Sequence, residues 1–179
     1  MKMKRYIYAL VALLMFVSPL YAQENTTGIS FFKGTFEEAL VKAKQENKPL
    51  FVDFYAVWCV PCKKMAKTVF TQEAVGKYFN EHFISLQRDA EKGENVQIAK
   101  NYKVVAYPTV AFIAPDGKAL SVNTGAMNAD ELMEAAKIVA GESVSFEELY
   151  NKYKADNNDL DVQQQLLLKA PSFLQAQEG

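Results

Sequence analysis

Cys59 and Cys62 are the only cysteines in the chain, and two residues separate them. At that spacing both sulfurs can meet across the first turn of a helix. If Cys59 sits near the N-cap, the unpaired backbone N–H groups and the positive end of the helix dipole stabilise a thiolate there. The thiolate is the nucleophile, and a free cysteine with a pKa of about 8.5 holds little of it at neutral pH. Cys62, inside the turn and expected to be less exposed, is placed to attack the mixed disulfide that Cys59 forms. Cys59-Val60-Pro61-Cys62 therefore contains a complete thiol–disulfide exchange cycle. Three plainer readings compete. A structural staple closing so short a loop constrains the unfolded chain by only about 2 kcal/mol. Half of a zinc site would need further ligands, and His82 is the only histidine. An inert core pair is the third. Redox chemistry is the reading these residues favour, and it calls for no metal and no cofactor.

The first residues bear on the compartment. Lys2, Lys4 and Arg5 precede an apolar run from Tyr6 to Val17; Ser18-Pro19 breaks it, and Leu20-Tyr21-Ala22 follows. This is the layout of a secretory signal peptide with cleavage near Ala22. A membrane anchor is the competing reading, but a spanning helix needs about 20 apolar residues. Removing residues 1–22 takes three positive charges and no acids, so 20 basic against 21 acidic side chains becomes 17 against 21, a net −4. The expected product is a mildly acidic, exported, periplasmic protein in a compartment where disulfides persist.

The remaining elements must present the cysteines. Residues 23–28 read as a loose linker and 29–31 as a short edge strand. Thr35 and Glu38 have capping-box form ahead of a helix whose Phe36, Ala39, Leu40 and Ala43 share one face. Pro49 bars that helix from continuing. Residues 50–56 form a strand apolar on both faces, hence central, with one acid, Asp53. Helices are expected over 63–70 and 72–79, a strand over 83–88, a short helix over 95–102 and a strand over 109–114. Pro115-Asp116-Gly117-Lys118 turns the chain into a hairpin partner over 119–123. A helix starts at Asn128 and ends at Gly141. The order β-α-β-α-β-α-β-β-α predicts an α/β domain over 29–141, a mixed central sheet with helices on both faces. Ser145 caps a further helix, and 142–179 form a helical, polar tail.

Composition sets outer limits. With 179 residues, half of them hydrophobic and under a quarter charged, the chain is of globular type and suits one domain. A formal charge of −1 gives no basic excess, so nucleic acid is not an expected partner.

The segment Phe51-Val52-Asp53-Phe54-Tyr55-Ala56-Val57-Trp58-Cys59-Val60-Pro61-Cys62-Lys63 resembles the active-site segment of the thioredoxin family. Ala106-Tyr107-Pro108-Thr109 resembles the family's cis-proline loop, and the 115–117 turn with Gly125 fits its C-terminal half. The resemblance covers residues 29–141 and looks most like the periplasmic C-terminal domain of DsbD-type thiol:disulfide interchange proteins. It implies a thioredoxin-like fold and catalytic roles for Cys59, Cys62 and Asp53. Asp53, buried in a two-faced strand with a pKa raised by desolvation, would relay a proton to and from Cys62; a satisfied core acid is the plainer reading. Ser85 stands where thioredoxin carries a lysine near this acid. Pro108, if cis, would expose the Tyr107 backbone to a substrate strand, and Trp58, Tyr107 and Pro108 would bind substrate. Lys63 and Lys64 read as a solvated helix face, and His82 takes no function.

Oxidant relatives place a histidine between the cysteines, and Val60-Pro61 supplies no such side chain. The couple is expected nearer thioredoxin, about −270 mV, than DsbA, about −120 mV. The resemblance thus implies a reductase or isomerase of disulfide-bonded or thiol-containing exported proteins, recharged by a membrane electron donor. Two alternatives stay open: a thioredoxin-fold peptide-binding or chaperone module, and a dedicated reductase for cytochrome c maturation.

Overall fold

The computed structural model describes residues 27–177. The expected signal peptide and its cleavage point lie outside the described residues. In chain order the elements are α1 (Phe36–Glu46), β1 (Leu50–Tyr55), α2 (Val60–Thr68), α3 (Glu73–His82), β2 (Ile84–Asp89), α4 (Asn95–Asn101), β3 (Thr109–Ile113), β4 (Ala119–Thr124), α5 (Ala129–Val139), α6 (Phe146–Ala155) and α7 (Leu160–Gln177).

The sheet runs β2-β1-β3-β4, with β1 parallel to β2 and antiparallel to β3, and β3 antiparallel to β4. This is the mixed sheet that the alternation of elements predicts. β1 is central, and its two faces divide the core as the side-chain period of two requires. Leu50, Val52 and Phe54 pack with Phe36, Ala39 and Ala43 of α1 and Ile98 and Ala99 of α4. Phe51 packs on the other side with Met65, Val75, Phe79, Leu132 and Ala136, from α2, α3 and α5. Phe51 and Phe79 meet edge to face at 4.7 Å. Helices thus cover both faces, and the site lies where central β1 runs into α2.

The caps form as the sequence directs. Thr35 Oγ1 accepts from Glu38 N–H at 3.1 Å while Glu38 accepts from Thr35 N–H at 2.7 Å, and Asn128 and Glu131 repeat the arrangement on α5. The start of the domain differs from expectation. The edge strand over 29–31 is reduced to one parallel bridge between Phe31 and Ser85, because the Ile29 and Ser30 N–H groups donate instead to Phe70 O at 2.7 Å and Asn80 Oδ1 at 2.8 Å. Gly28, read as part of a loose linker, is buried instead. Its backbone lies so close to Gly76 that a Cβ on Gly76 would stand 2.3 Å from it, and Asn80 donates to its carbonyl at 3.1 Å.

Beyond α5 the chain forms the helix pair α6–α7, whose buried apolar residues are Leu149 and Val162. Lys169 pairs with Glu134 on α5, and Ser143 Oγ donates to the same carboxylate at 2.8 Å. Among the described residues, no helix is long and apolar enough to cross a membrane.

Candidate active site

β1 delivers its last residues into a tight turn. Cys59 N–H donates to Ala56 O at 3.0 Å, and α2 begins at Val60. Cys59 is the N-cap, in extended conformation, and Pro61 occupies the first turn. Proline fits there because its missing N–H would lack an intrahelical partner anyway. Cys59 and Cys62 are joined as a disulfide, with Cα atoms 5.3 Å apart. Cys62 N–H donates to Cys59 Sγ at 3.2 Å, so the N-cap sulfur already holds the backbone donor that would stabilise it as a thiolate.

Both cysteines are almost wholly enclosed, Cys59 2% and Cys62 4% exposed. The expected contrast in burial is therefore not found in the disulfide form. Position distinguishes the two: Cys59 caps the helix and accepts, while Cys62 lies within the first turn and donates. Ala56 and the partly buried Tyr55 and Tyr107 pack around the pair.

The Tyr107-Pro108 peptide bond is cis, and Pro108 is buried. Trp58 is 64% exposed. Its ring meets Tyr107 edge to face at 6.0 Å, and its Nε1–H donates to Glu91 Oε2 at 2.9 Å. Trp58 and Tyr107 thus form one aromatic ledge beside the disulfide, flanked by exposed Val57, Val60 and Val105. The Gly125 N–H donates to Pro108 O at 2.9 Å, tying the β4–α5 loop to the proline loop.

Asp53 lies on the face of β1 that α2, α3 and α5 cover and is 2% exposed. Burial pushes its carboxyl up to about 6. One oxygen, Oδ2, accepts from Gln87 Nε2 at 3.0 Å, which offsets part of that rise. The other, Oδ1, has no hydrogen-bond partner among the described residues. The residue opposite Asp53 in the parallel register is Gln87; Ser85 pairs two residues earlier, with Phe51. Gln87 thus sets a neutral amide beside the acid, and the buried Ser85, two residues earlier on the same face of β2, brings no cation either.

Gln87 and Glu91 are the two residues that reading the sequence missed. Gln87 was findable, because alternation along β2 puts it on the face of Asp53 once the register is known. Glu91 lies in the turn after β2, where no period operates. Together the groups provide a two-electron dithiol–disulfide couple, an N-cap that favours a thiolate, a buried carboxyl raised to about 6, and an open aromatic ledge.

A family model for the thioredoxin-like domain matches residues 36–140. The chain is 32% identical over 120 residues to the thiol:disulfide interchange protein DsbD of Vibrio vulnificus, a match spanning 63% of this chain and 20% of that protein. The chain thus spans about a fifth of the length of the curated relatives it matches. Its fold is similar to a protein of Bacteroides thetaiotaomicron provisionally described as a disulphide-isomerase, with 43% identity and a TM-score of 0.59, covering 66% of this chain and 98% of the other. It is also similar to the oxidised C-terminal domain of DsbD from Neisseria meningitidis, with 29% identity and a TM-score of 0.51 over 61% and 98% of the two chains. With the model covering more than half of its length, the chain belongs to the thioredoxin-like domain family.

Proposed function

We propose that the chain is an exported thiol–disulfide oxidoreductase that reduces, or isomerises, disulfides of exported proteins through Cys59 and Cys62. The observation that carries this is the disulfide capping α2, with Cys62 N–H on Cys59 Sγ at 3.2 Å. The thiol:disulfide interchange relatives and the N-terminal layout of residues 1–22 support the activity and the compartment.

In the reduced protein the Cys59 thiolate attacks one sulfur of a client disulfide. A mixed disulfide forms, and the other client sulfur leaves as a thiolate that takes up a proton. Cys62 then loses its proton to Asp53, directly or through water, and attacks Cys59 Sγ. The Cys59–Cys62 disulfide closes and the second client sulfur is released, so two electrons have passed to the client. Trp58, Tyr107 and Pro108 line the approach and bind the client's backbone and apolar side chains. A reductant in an oxidising compartment must be recharged, and the similarity to the interchange proteins implies a membrane electron donor for that step.

Direction follows from the residues between the cysteines. Val60 has no polar side chain and Pro61 no N–H, so the thiolate draws mainly on the Cys62 amide. A modestly stabilised thiolate leaves the disulfide comparatively stable. Equilibration against a glutathione buffer measures the couple, which is expected below about −200 mV, in the range of thioredoxin and glutaredoxins. A value near the −120 mV or so of DsbA would make the protein an oxidant.

A further inference from the structure

A groove of about 530 Å³ runs along α2 beside the disulfide. Pro61, Met65 and Val69 form one wall, and Ala126 and Met127 of the β4–α5 loop form the other. It begins at the turn of the reacting pair, since Pro61 stands between the cysteines. Its far wall is tethered to the proline loop through Gly125 N–H and Pro108 O. The partly buried Met127 gives it an adaptable apolar edge, over a floor that includes the buried Met65.

Most polar groups on its rim are already engaged. The Thr68 hydroxyl donates to Lys64 O at 3.0 Å, and Gln72 Nε2 donates to Thr68 O at 2.6 Å. Asn128 and Glu131 complete the cap of α5. Lys64 is the cation on this rim, and its ammonium has no ion-pair partner among the described residues, whereas the Glu131 carboxylate is held by the Asn128 N–H. Lys63 and Lys67 extend Lys64 into a basic stripe along α2, and all three are exposed. Among the described residues none of the three is in an ion pair. Three lysines on one helix, none of them ion-paired, outnumber the single carboxylate on the groove's rim, Glu131, and leave this face net positive next to an apolar slot.

We propose that this groove receives the client segment that flanks the reacting cysteine, and that it selects an apolar side chain followed by carboxylates. The apolar side chain enters between Pro61 and Met127, and the carboxylates meet the lysine stripe. The inference rests on the exchange activity proposed above and names the class of client that activity prefers. Binding energy gained away from the sulfurs speeds the encounter and holds the client disulfide against Cys59.

The test uses the reduced full chain and two synthetic disulfide peptides that differ on one side of the cystine, a leucine followed by two glutamates or by two lysines. A small hydroxyethyl disulfide, which needs only the cysteine pair, sets the baseline. The acidic peptide is expected to react about tenfold faster than the basic one at low salt, with the preference lost at about 0.5 M salt. Lys64→Glu with Lys67→Glu should invert the preference relative to the baseline rate. Met127→Ala should lower the rate with the acidic peptide while its salt dependence persists. Equal rates for the two peptides with a normal baseline overturn the groove and leave the exchange activity standing. A chain inactive toward the small disulfide overturns both. Self-association by sedimentation that Lys64→Glu abolishes would assign the groove to a second copy and also overturn the proposal.

Discussion

Cys59 and Cys62 are chemically identical side chains made unequal by where the helix begins. The N-cap sulfur accepts the Cys62 N–H, and among the described residues the interior sulfur accepts no such bond. Cys62→Ala should therefore accumulate mixed disulfides with clients on non-reducing gels, whereas Cys59→Ala should not; equal trapping by both variants would refute the order of attack. Asp53 differs from most carboxylates in being stabilised as the neutral acid. Its value rises from 3.8 to about 6 through desolvation, opposed by the Gln87 hydrogen bond. Between those values the folded state keeps a proton that the unfolded chain has lost, so stability falls as pH rises through that window. The upper bound on the loss is roughly 3 kcal/mol. Asp53→Asn removes this dependence. Urea unfolding of the oxidised protein should show the variant more stable than the parent by roughly 1–3 kcal/mol at pH 7.5, with little difference at pH 4. Resolution of mixed disulfides by Cys62 should slow in the same variant. A variant less stable at pH 7.5 with unchanged resolution would mark Asp53 as a structural acid.

At the scale of elements, the sequence is most informative where one residue type has one physical job. Thr35 and Asn128 announce helix starts because their side chains replace a missing backbone partner, and both caps form. The both-face apolar run of β1 marks a central strand, and β1 lies between β2 and β3. What depends on two segments meeting is harder to read. The short bridge at Phe31, the burial of Gly28 on Gly76, and Gln87 beside Asp53 all arise from register or close approach. The Trp58–Glu91 bond likewise joins β1's exit to the turn after β2. The first turn of α2 is the element whose sequence sets direction. Pro61→His would restore an N–H and add a polar ring near Cys59 Sγ. The thiolate should become more stable and the couple should move upward, by about 30 mV for each tenfold change in the equilibrium constant. A potential that stays in place in a glutathione titration would show that the residues between the cysteines do not set direction here.

At the scale of the whole molecule, the family match ends at residue 140 and the helix pair α6–α7 lies beyond it. Two polar contacts join the stretch beyond residue 140 to the domain, beside the burial of Leu149 and Val162. Glu142 accepts from the Tyr78 hydroxyl at 3.1 Å and pairs with His82 Nε2 at 3.3 Å, against α3. Glu134 on α5 takes Lys169 of α7 and the Ser143 hydroxyl on one oxygen. These carboxylates are partly exposed, and pairs of that kind contribute roughly 0–1 kcal/mol each. By contrast, the sheet and its two apolar layers hold the domain together without the helix pair. The two parts should accordingly respond differently to one change. Glu134→Ala removes the shared acceptor and leaves Lys169 and Ser143 without it. Limited proteolysis should then cleave within 142–177 several-fold faster, because cleavage follows the local opening free energy. The rate with a small disulfide should hold, and the melting temperature should shift by no more than about 4 °C. Unchanged proteolysis would place the attachment at Glu142 instead, and Glu142→Ala would then carry the effect. A large fall in melting temperature would mean that the helix pair is part of the domain's cooperative unit.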